Sequence, residues 1–201
     1  MPTVVLPICY AAPIHWYAIY AQRDELSLEA SEHFVKQSFR NRCEIYSPNG
    51  KQSLVAPITH KGKRQTMAQK QLSYQENWQK NHWKSLEAAY RSSPYFEYYE
   101  DDFKPLFEQQ PKGLMDWNLQ LHQLICESIG IEEKHQLTEA YREDYAEDFR
   151  GLGPKNKNIK PNPKYHQVFE EKHGFIPALS IFDLLFNLGP ESLSYLEEMN
   201  I

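Results

Sequence analysis

The first thirty or so residues constrain the fold more than anything that follows them. Thr3 to Ile8 is a short apolar run rich in β-branched residues, the pattern of a buried strand. Pro13 suits the first turn of a helix reaching about Gln22. Leu26 to Ala30, where Leu26 and Leu28 alternate with polar neighbours, reads as a second strand. Strand, helix of roughly ten residues and strand is the minimum for a right-handed parallel crossover. A Gly-x-Gly-x-x-Gly turn is missing from this unit, and no Gly-x-x-x-x-Gly-Lys occurs anywhere, so neither dinucleotide nor P-loop chemistry is expected.

Next, Cys43 to Ser47 and Lys51 to Ile58 flank Pro48-Asn49-Gly50. Asn-Gly between β-like runs is a strong hairpin signal. Pro57 is expected at the end of the second strand or on an edge, and the basic stretch from Thr59 to Gln71 reads as loop or exposed strand. From about Gln75 the pattern becomes helical: Trp78, His82, Leu86 and Ala89/Tyr90 recur at helical spacing. Tyr95 to Gln109 follows, with Pro105 bending or splitting it. An amphipathic helix then carries Leu114, Trp117, Leu121, Leu124, Ile125 and Ile129 and stops at Gly130. Gly151 to Pro163 has little to bury and predicts a mobile loop or lid, and a last helix starts near Ser180 and ends at Gly189-Pro190, with Asp183 placed for a capping box. The fold class is therefore α/β: a small mixed sheet begun by a β-α-β unit plus a β-hairpin, with an appended helical part. It is expected as a single domain over 1–201, sheet-rich over 1–71, helical over 72–150, with the mobile loop at 151–163 and the segment 164–201 packing back.

Charge is distributed in blocks. Phe34 to Arg91 carries 11 Lys/Arg against 3 Asp/Glu, a balance of +8, while the remainder stands at −13. Such asymmetry points to an anionic partner for the basic block, or to two blocks that face each other once folded. Three widely spaced cysteines make no disulfide framework. With no basic leader and no apolar run near the ~20 residues of a membrane span, a cytoplasmic protein without membrane insertion is expected. Neither Cys-x-x-Cys nor His-Glu-x-x-His occurs, so the spacing calls for no metal, and no cofactor is expected.

Open parallel sheets bind ligands outside the carboxyl ends of their strands. On that rule Tyr10, Glu29, His33, Lys36, Arg40 and Arg42 line one crevice, with His33 or Glu29 available as a general base. The bland alternative is that Glu29 simply pairs with Arg40 or Arg42. His82, beside Trp78 and Trp83, is either a satisfied core imidazole or a proton carrier in a dry pocket. Asn118, on the apolar stripe of its helix, is a buried network member or a substrate ligand. Cys9 ends the first strand near the crevice, where a small buried cysteine is the commoner role. The tyrosine block around Tyr98 serves helix packing or stacks on a sugar or base.

Several of these residues carry a resemblance. Lys36-Gln37-Ser38-Phe39-Arg40-Asn41-Arg42, the hairpin around Asn49-Gly50 with Pro57, Asn81-His82-Trp83-Lys84, Tyr90, Ser93 to Tyr99 and Asp116-Trp117-Asn118 resemble the WbqC-like family. The resemblance covers most of residues 1–130, and the tail from Lys172 to Glu191 is similar to a subgroup. It implies a role in bacterial surface-polysaccharide (O-antigen) biosynthesis, for which transfer of glycine to an amino sugar has been suggested. Many relatives carry His-x-Pro after the first strand; here Val5-Leu6-Pro7 stands instead, so a duty for that histidine does not apply.

The resemblance thus implies an acyltransferase (glycine transferase) that forms an amide on a nucleotide-linked amino sugar, the acyl donor being an aminoacyl group, in one version borne by tRNA. His82 or His33 would take the proton and Asn41 or Asn118 would steady the oxyanion. Tyr10, Glu29, Lys36, Arg40, Arg42, Trp83, Tyr98 and Asn118 would hold substrate. The other readings are a non-catalytic anion- or RNA-binding module and a scaffold subunit of a polysaccharide-assembly complex. Oligomeric state is not legible.

Overall fold

The β-α-β unit forms as its pattern dictates. In the computed structural model, which describes residues 4–59, 65–154 and 161–201, strand β1 (Val4–Pro7) and strand β2 (Leu26–Glu29) pair in parallel, Val4 opposite Leu26 and Pro7 opposite Glu29. Helix α1 (Ile14–Gln22) crosses between them. All seven residues from Ile14 to Tyr20 are buried. The helix is therefore buried on all sides rather than one-sided, as expected of a helix enclosed in the core. The hairpin also forms: β3 (Arg42–Ser47) and β4 (Gly50–Val55) are antiparallel, with Ser47 opposite Gly50 and a turn at Pro48-Asn49. Gly50 has φ +95°, a backbone that a side chain would strain. Pro57 lies just beyond β4, where its missing N–H costs no ladder bond.

Two short strands complete the parallel sheet from a stretch whose polar sequence gives no strand pattern. β5 (His135–Leu137) pairs with β2, and β6 (Glu147–Asp148) pairs with β1, giving the order β5-β2-β1-β6. The residues from 72 to 150, expected to be helical, are thus helical only as far as Ile129. The hairpin stays apart as its own two-stranded ladder. Parallel and antiparallel pairs both occur, but in separate sheets.

The appended helices are α2 (Trp78–Tyr90), α3 (Phe96–Phe103) and α4 (Leu114–Ile129). Pro105 does split the second of these, since a tighter 3-10 turn over Lys104–Glu108 follows α3. The α4 helix ends on Gly130 at φ +85°, with the Gly130 N–H bonded to the Cys126 carbonyl. Farther on come a single turn, α5 (Glu170–His173), then α6 (Ile181–Leu188) and α7 (Ser192–Glu198). The helix that begins after Ser180 is therefore not the last, because Gly189–Glu191 turns the chain into α7. His60 to Arg64, and Lys155 to Lys160 of the loop expected over 151–163, lie outside the described residues. Among the described residues no helix is long and apolar enough to cross a membrane.

The C-terminal segment packs back at defined points. Gln22 Nε2 donates to the carbonyls of Leu196 (2.7 Å) and Met199 (2.9 Å), tying α1 to α7. Ser180 caps α6, with the Phe182 N–H donating to its Oγ. Asp183 is not the capping residue its position suggested. Its side chain is wholly buried and accepts from the Tyr90 hydroxyl (3.0 Å), Gln167 Nε2 (2.9 Å) and the Tyr165 hydroxyl. Burial raises this carboxyl to about 6 despite those three donors. One carboxylate thereby joins α2, the 165–167 segment and α6.

Gly189 is constrained in two ways at once. Its φ is +52°, and a Cβ there would lie 2.5 Å from the Tyr95 ring. Gly189→Ala combines an unfavourable backbone with overlap against a packed aromatic. A loss of about 3 kcal/mol is expected, read in urea unfolding as a lower midpoint at unchanged slope.

Candidate functional site

The carboxyl ends of the strands carry an ionic lattice rather than an open crevice of free side chains. Glu29, the last residue of β2, is completely buried. Its Oε1 accepts from the backbone N–H groups of Ser31 (2.9 Å) and Glu32 (3.1 Å) and from the Thr138 hydroxyl (2.6 Å). Its Oε2 accepts from Arg150 Nη1 at 2.9 Å. Glu32, also buried, makes a two-pronged pair with Arg40 at 2.6 and 2.7 Å. Arg40 is 2% exposed and also donates to the Arg150 carbonyl (3.1 Å). Arg150 in turn grips Asp148 of β6 through Nε and Nη2 and lies over the rings of Tyr141 (4.4 Å) and Tyr145 (5.4 Å). Glu29 does pair with an arginine, but with Arg150, 121 positions away, and Arg40 belongs to Glu32.

Burial and pairing compete in this lattice, and the balance differs from group to group. Desolvation raises the Glu32 carboxyl above its ordinary value against the pull of Arg40. Asp148, nearer the surface, is held below the carboxylate range by its bonds to Arg150. Arg150 is held more firmly protonated, by Asp148 first and Glu29 after it.

Above this floor opens a cavity of about 360 Å³ lined by Ser31, Glu32, His33, Val35 and Tyr141. The imidazole of His33 is exposed at its side, and Lys36 is exposed three residues on. Lys70 stands close enough to Lys36 that, after desolvation, the like charge further lowers its pKa. It bonds Gln65 Oε1 (3.2 Å) and sits over the Phe34 ring at 5.5 Å. Two non-glycine residues in the turns here take left-handed backbone, Ala11 at φ +39° and Gln37 at φ +56°. Such strain persists only where the surroundings enforce it. Sequence reasoning missed Glu32, Lys70, Tyr141 and Arg150. Glu32 lay within the named crevice stretch and could have been found there. The other three come from loops that only the fold brings back.

The remaining candidates are dispersed. Tyr10 is fully buried, and its hydroxyl bonds His82 Nδ1 at 3.0 Å. The His82 ring also bonds the Val55 backbone and packs edge-on to Trp78 at 5.0 Å. Desolvation lowers its pKa to about 4. Asn118 Nδ2 donates to the Arg40 carbonyl (2.7 Å), so that amide supports the lattice from beneath. Asn41 clamps the base of the hairpin: its Nδ2 donates to the Ala56 carbonyl (2.8 Å), whose own N–H returns to the Asn41 carbonyl. Arg42 opens β3 opposite Val55, and its buried Nε has no hydrogen-bond partner among the described residues. Trp83 lines a separate cleft of about 470 Å³ with Lys80, Lys84, Lys104 and Phe107. Tyr98 is exposed on α3. Cys9 is buried, its thiol pushed up to about 12 by desolvation, which leaves it a thiol rather than a nucleophilic thiolate at neutral pH. In the basic block, Arg40, Lys51 and Arg91 are each matched by carboxylates (Glu32, Glu44, and Glu87 with Glu100).

The WbqC-like protein family model matches residues 10–152 and 144–195, nearly the whole chain. The chain belongs to the WbqC-like protein family. It is also 26% identical to the uncharacterized protein Rv1507c of Mycobacterium tuberculosis over 210 residues, covering 90% of this chain and 91% of that one. No solved structure gives a significant match. The lattice and its cavity fall within the first matched span, as do both short strands that extend the sheet.

His82 supplies a pH test of its place in the core. Its folded pKa lies below the unfolded value of 6.5, so its contribution to stability is complete above pH 6.5 and is lost as pH falls through about 4. At ~1.4 kcal/mol per pH unit that interval is worth ~3 kcal/mol. Asp183 acts in the opposite sense, because its raised pKa favours the fold below 3.8 and costs stability as pH rises through about 6. Comparing wild type with His82→Gln by urea unfolding from pH 7 to 4 cancels the Asp183 term. The wild type is expected to lose about 3 kcal/mol more than the variant over that range.

Proposed function

We propose that this WbqC-like protein transfers an aminoacyl group to the amine of a nucleotide-linked amino sugar in surface-polysaccharide assembly, at the cavity lined by the segment that follows β2. The observation that carries the reading is an exposed imidazole (His33) lining a cavity whose Glu32 belongs to a buried, paired carboxylate–guanidinium floor, with exposed Lys36 directly after the lining Val35 and Lys70 near Lys36. An imidazole can both accept and donate a proton, as an acyl transfer requires. The lysines suit a diphosphate. The rigid floor suits shaping the cavity and holding its lining in place.

In the reaction, the sugar's free amine attacks the carbonyl carbon of an aminoacyl ester, such as that of an aminoacyl-tRNA. The C–N bond forms and a tetrahedral oxyanion develops. His33 takes the proton released by the nitrogen and returns it to the departing ester oxygen as the C–O bond breaks. Products are the amide and the free hydroxyl of the carrier, so the protons balance without a further reactant. His82, neutral, buried and bonded to Tyr10, fits the role of a packing residue better than that of a base.

The test is a transfer assay with radiolabelled glycyl-tRNA and a panel of uridine- and thymidine-diphosphate amino sugars. Label should move to the sugar, and His33→Gln should lower turnover by at least ~10²-fold while leaving the melting temperature unchanged. Lys36→Ala with Lys70→Ala should raise KM for the sugar nucleotide. Label that never leaves tRNA with any acceptor, or a His33→Gln variant with full turnover, would overturn the reading.

A further inference from the structure

β5 brings together three residues whose spacing along the chain matches no metal motif. α4 carries His122 and, one turn later, Cys126. At Gly130 the helix stops, and the N–H groups of Gly130 and Ile131 both bond the Cys126 carbonyl at 2.9 Å. The chain reverses there and enters the sheet at His135, opposite Leu26. That reversal returns Glu133 and His135 to the side of His122. One ring nitrogen of each histidine and a carboxylate oxygen of Glu133 then lie within 4.8 Å of one another.

We propose that His122, Glu133 and His135 bind a divalent transition-metal ion of the zinc class. Each imidazole has its Nδ1 engaged by a tyrosine of α1: the Tyr17 hydroxyl stands 3.1 Å from His122 Nδ1, and the Tyr20 hydroxyl 2.8 Å from His135 Nδ1. When those Nδ1–H groups donate to the tyrosine oxygens, the lone pair of each ring resides on Nε2, one of the two nitrogens through which imidazole binds metal; on His122 that atom lies 3.6 Å from Cys126 Sγ. Both tyrosines are buried, and the Lys134 N–H fixes the Tyr20 oxygen at 3.3 Å. The rings of Trp16 (5.2 Å) and Tyr20 (4.8 Å) stand edge-on to His122 and hold its orientation. A hydrogen-bonded core network accounts for the two Nδ1 contacts. It does not account for a carboxylate converging on the same point as the two imidazoles.

The donor set is selective. Two imidazoles and one carboxylate suit zinc and its neighbours better than calcium or magnesium, which take oxygen donors. Tetrahedral binding with bonds near 2.1 Å needs donors about 3.4 Å apart. Glu133 is exposed, so its side chain is free to close the remaining distance. Three protein ligands at a partly open edge leave a fourth position for water or a substrate atom. This site is at the amino end of β5, while Thr138, just past the other end, holds Glu29 of the ionic lattice. An ion here would pin β5 to α4 and steady the strand that supports Thr138.

The experiment is calorimetric titration of the chelator-treated full chain with Zn²⁺, with Co²⁺ as a spectroscopic probe. One ion per chain is expected, with visible Co²⁺ bands of a four-coordinate site and no competition from excess Mg²⁺ or Ca²⁺. Glu133→Gln and His135→Ala should each weaken Zn²⁺ binding by at least tenfold, and Tyr20→Phe by about 10–100-fold. His166→Gln, an exposed histidine elsewhere, should change nothing. Because Glu133 is a surface residue, the first variant does not endanger folding. Failure to bind Zn²⁺, or binding unmoved by both Glu133→Gln and His135→Ala, would overturn the assignment.

Discussion

Four buried charges at the carboxyl ends of the parallel sheet hold the architecture in register. Glu29, Glu32, Arg40 and Arg150 are each less than a tenth exposed, and each finds its opposite within hydrogen-bond distance. Removing Glu32 or Arg40 leaves its partner charged in a dry environment, a situation that typically costs about 3–5 kcal/mol. The lattice reaches three of the sheet's four strands and one helix: β2 through Glu29, β5 through Thr138 just past its end, β6 through Asp148, α4 through Asn118. Short strands of two and three residues bury little apolar surface of their own. These polar contacts add to the backbone pairing that attaches them.

The same physics separates floor from functional surface. Groups committed to pairs inside the lattice are immobile and already satisfied, so they can shape and orient but have little capacity left for a ligand. The groups left facing the cavity are His33, Ser31 and Tyr141. Asp183 is a further buried carboxylate with a different solution: two tyrosine hydroxyls and an amide in place of a counter-charge. The sheet end is thus held by ion pairs and the C-terminal helices by neutral donors.

Legibility followed sequence distance. The β-α-β unit, the Asn-Gly hairpin, the helix ending at Gly130 and the break at Pro105 were all written in local pattern, where periodicity and turn chemistry act. β5 and β6 were not, because His135-Gln136-Leu137 and Glu147-Asp148 have no alternation and become strands only through parallel register with β2 and β1. Missing them hid Arg150, Thr138 and Tyr141, and with these the true partner of Glu29. It also hid the meeting of His122 with His135. The cation-rich stretch from Lys36 to Arg42 did mark the right region. Its residues divide between a buried ion pair, a hairpin clamp and an exposed lysine, a division that burial decides and composition does not.

A double-mutant cycle on Glu32 and Arg40, built from Glu32→Gln, Arg40→Met and the pair, tests the lattice most directly. Urea unfolding should give each single variant a large loss and the pair much less than their sum, a coupling of about 2–3 kcal/mol. Additive losses, with coupling near zero, would mean that these charges do not hold each other in the folded protein, and the account of the sheet's carboxyl edge would fail.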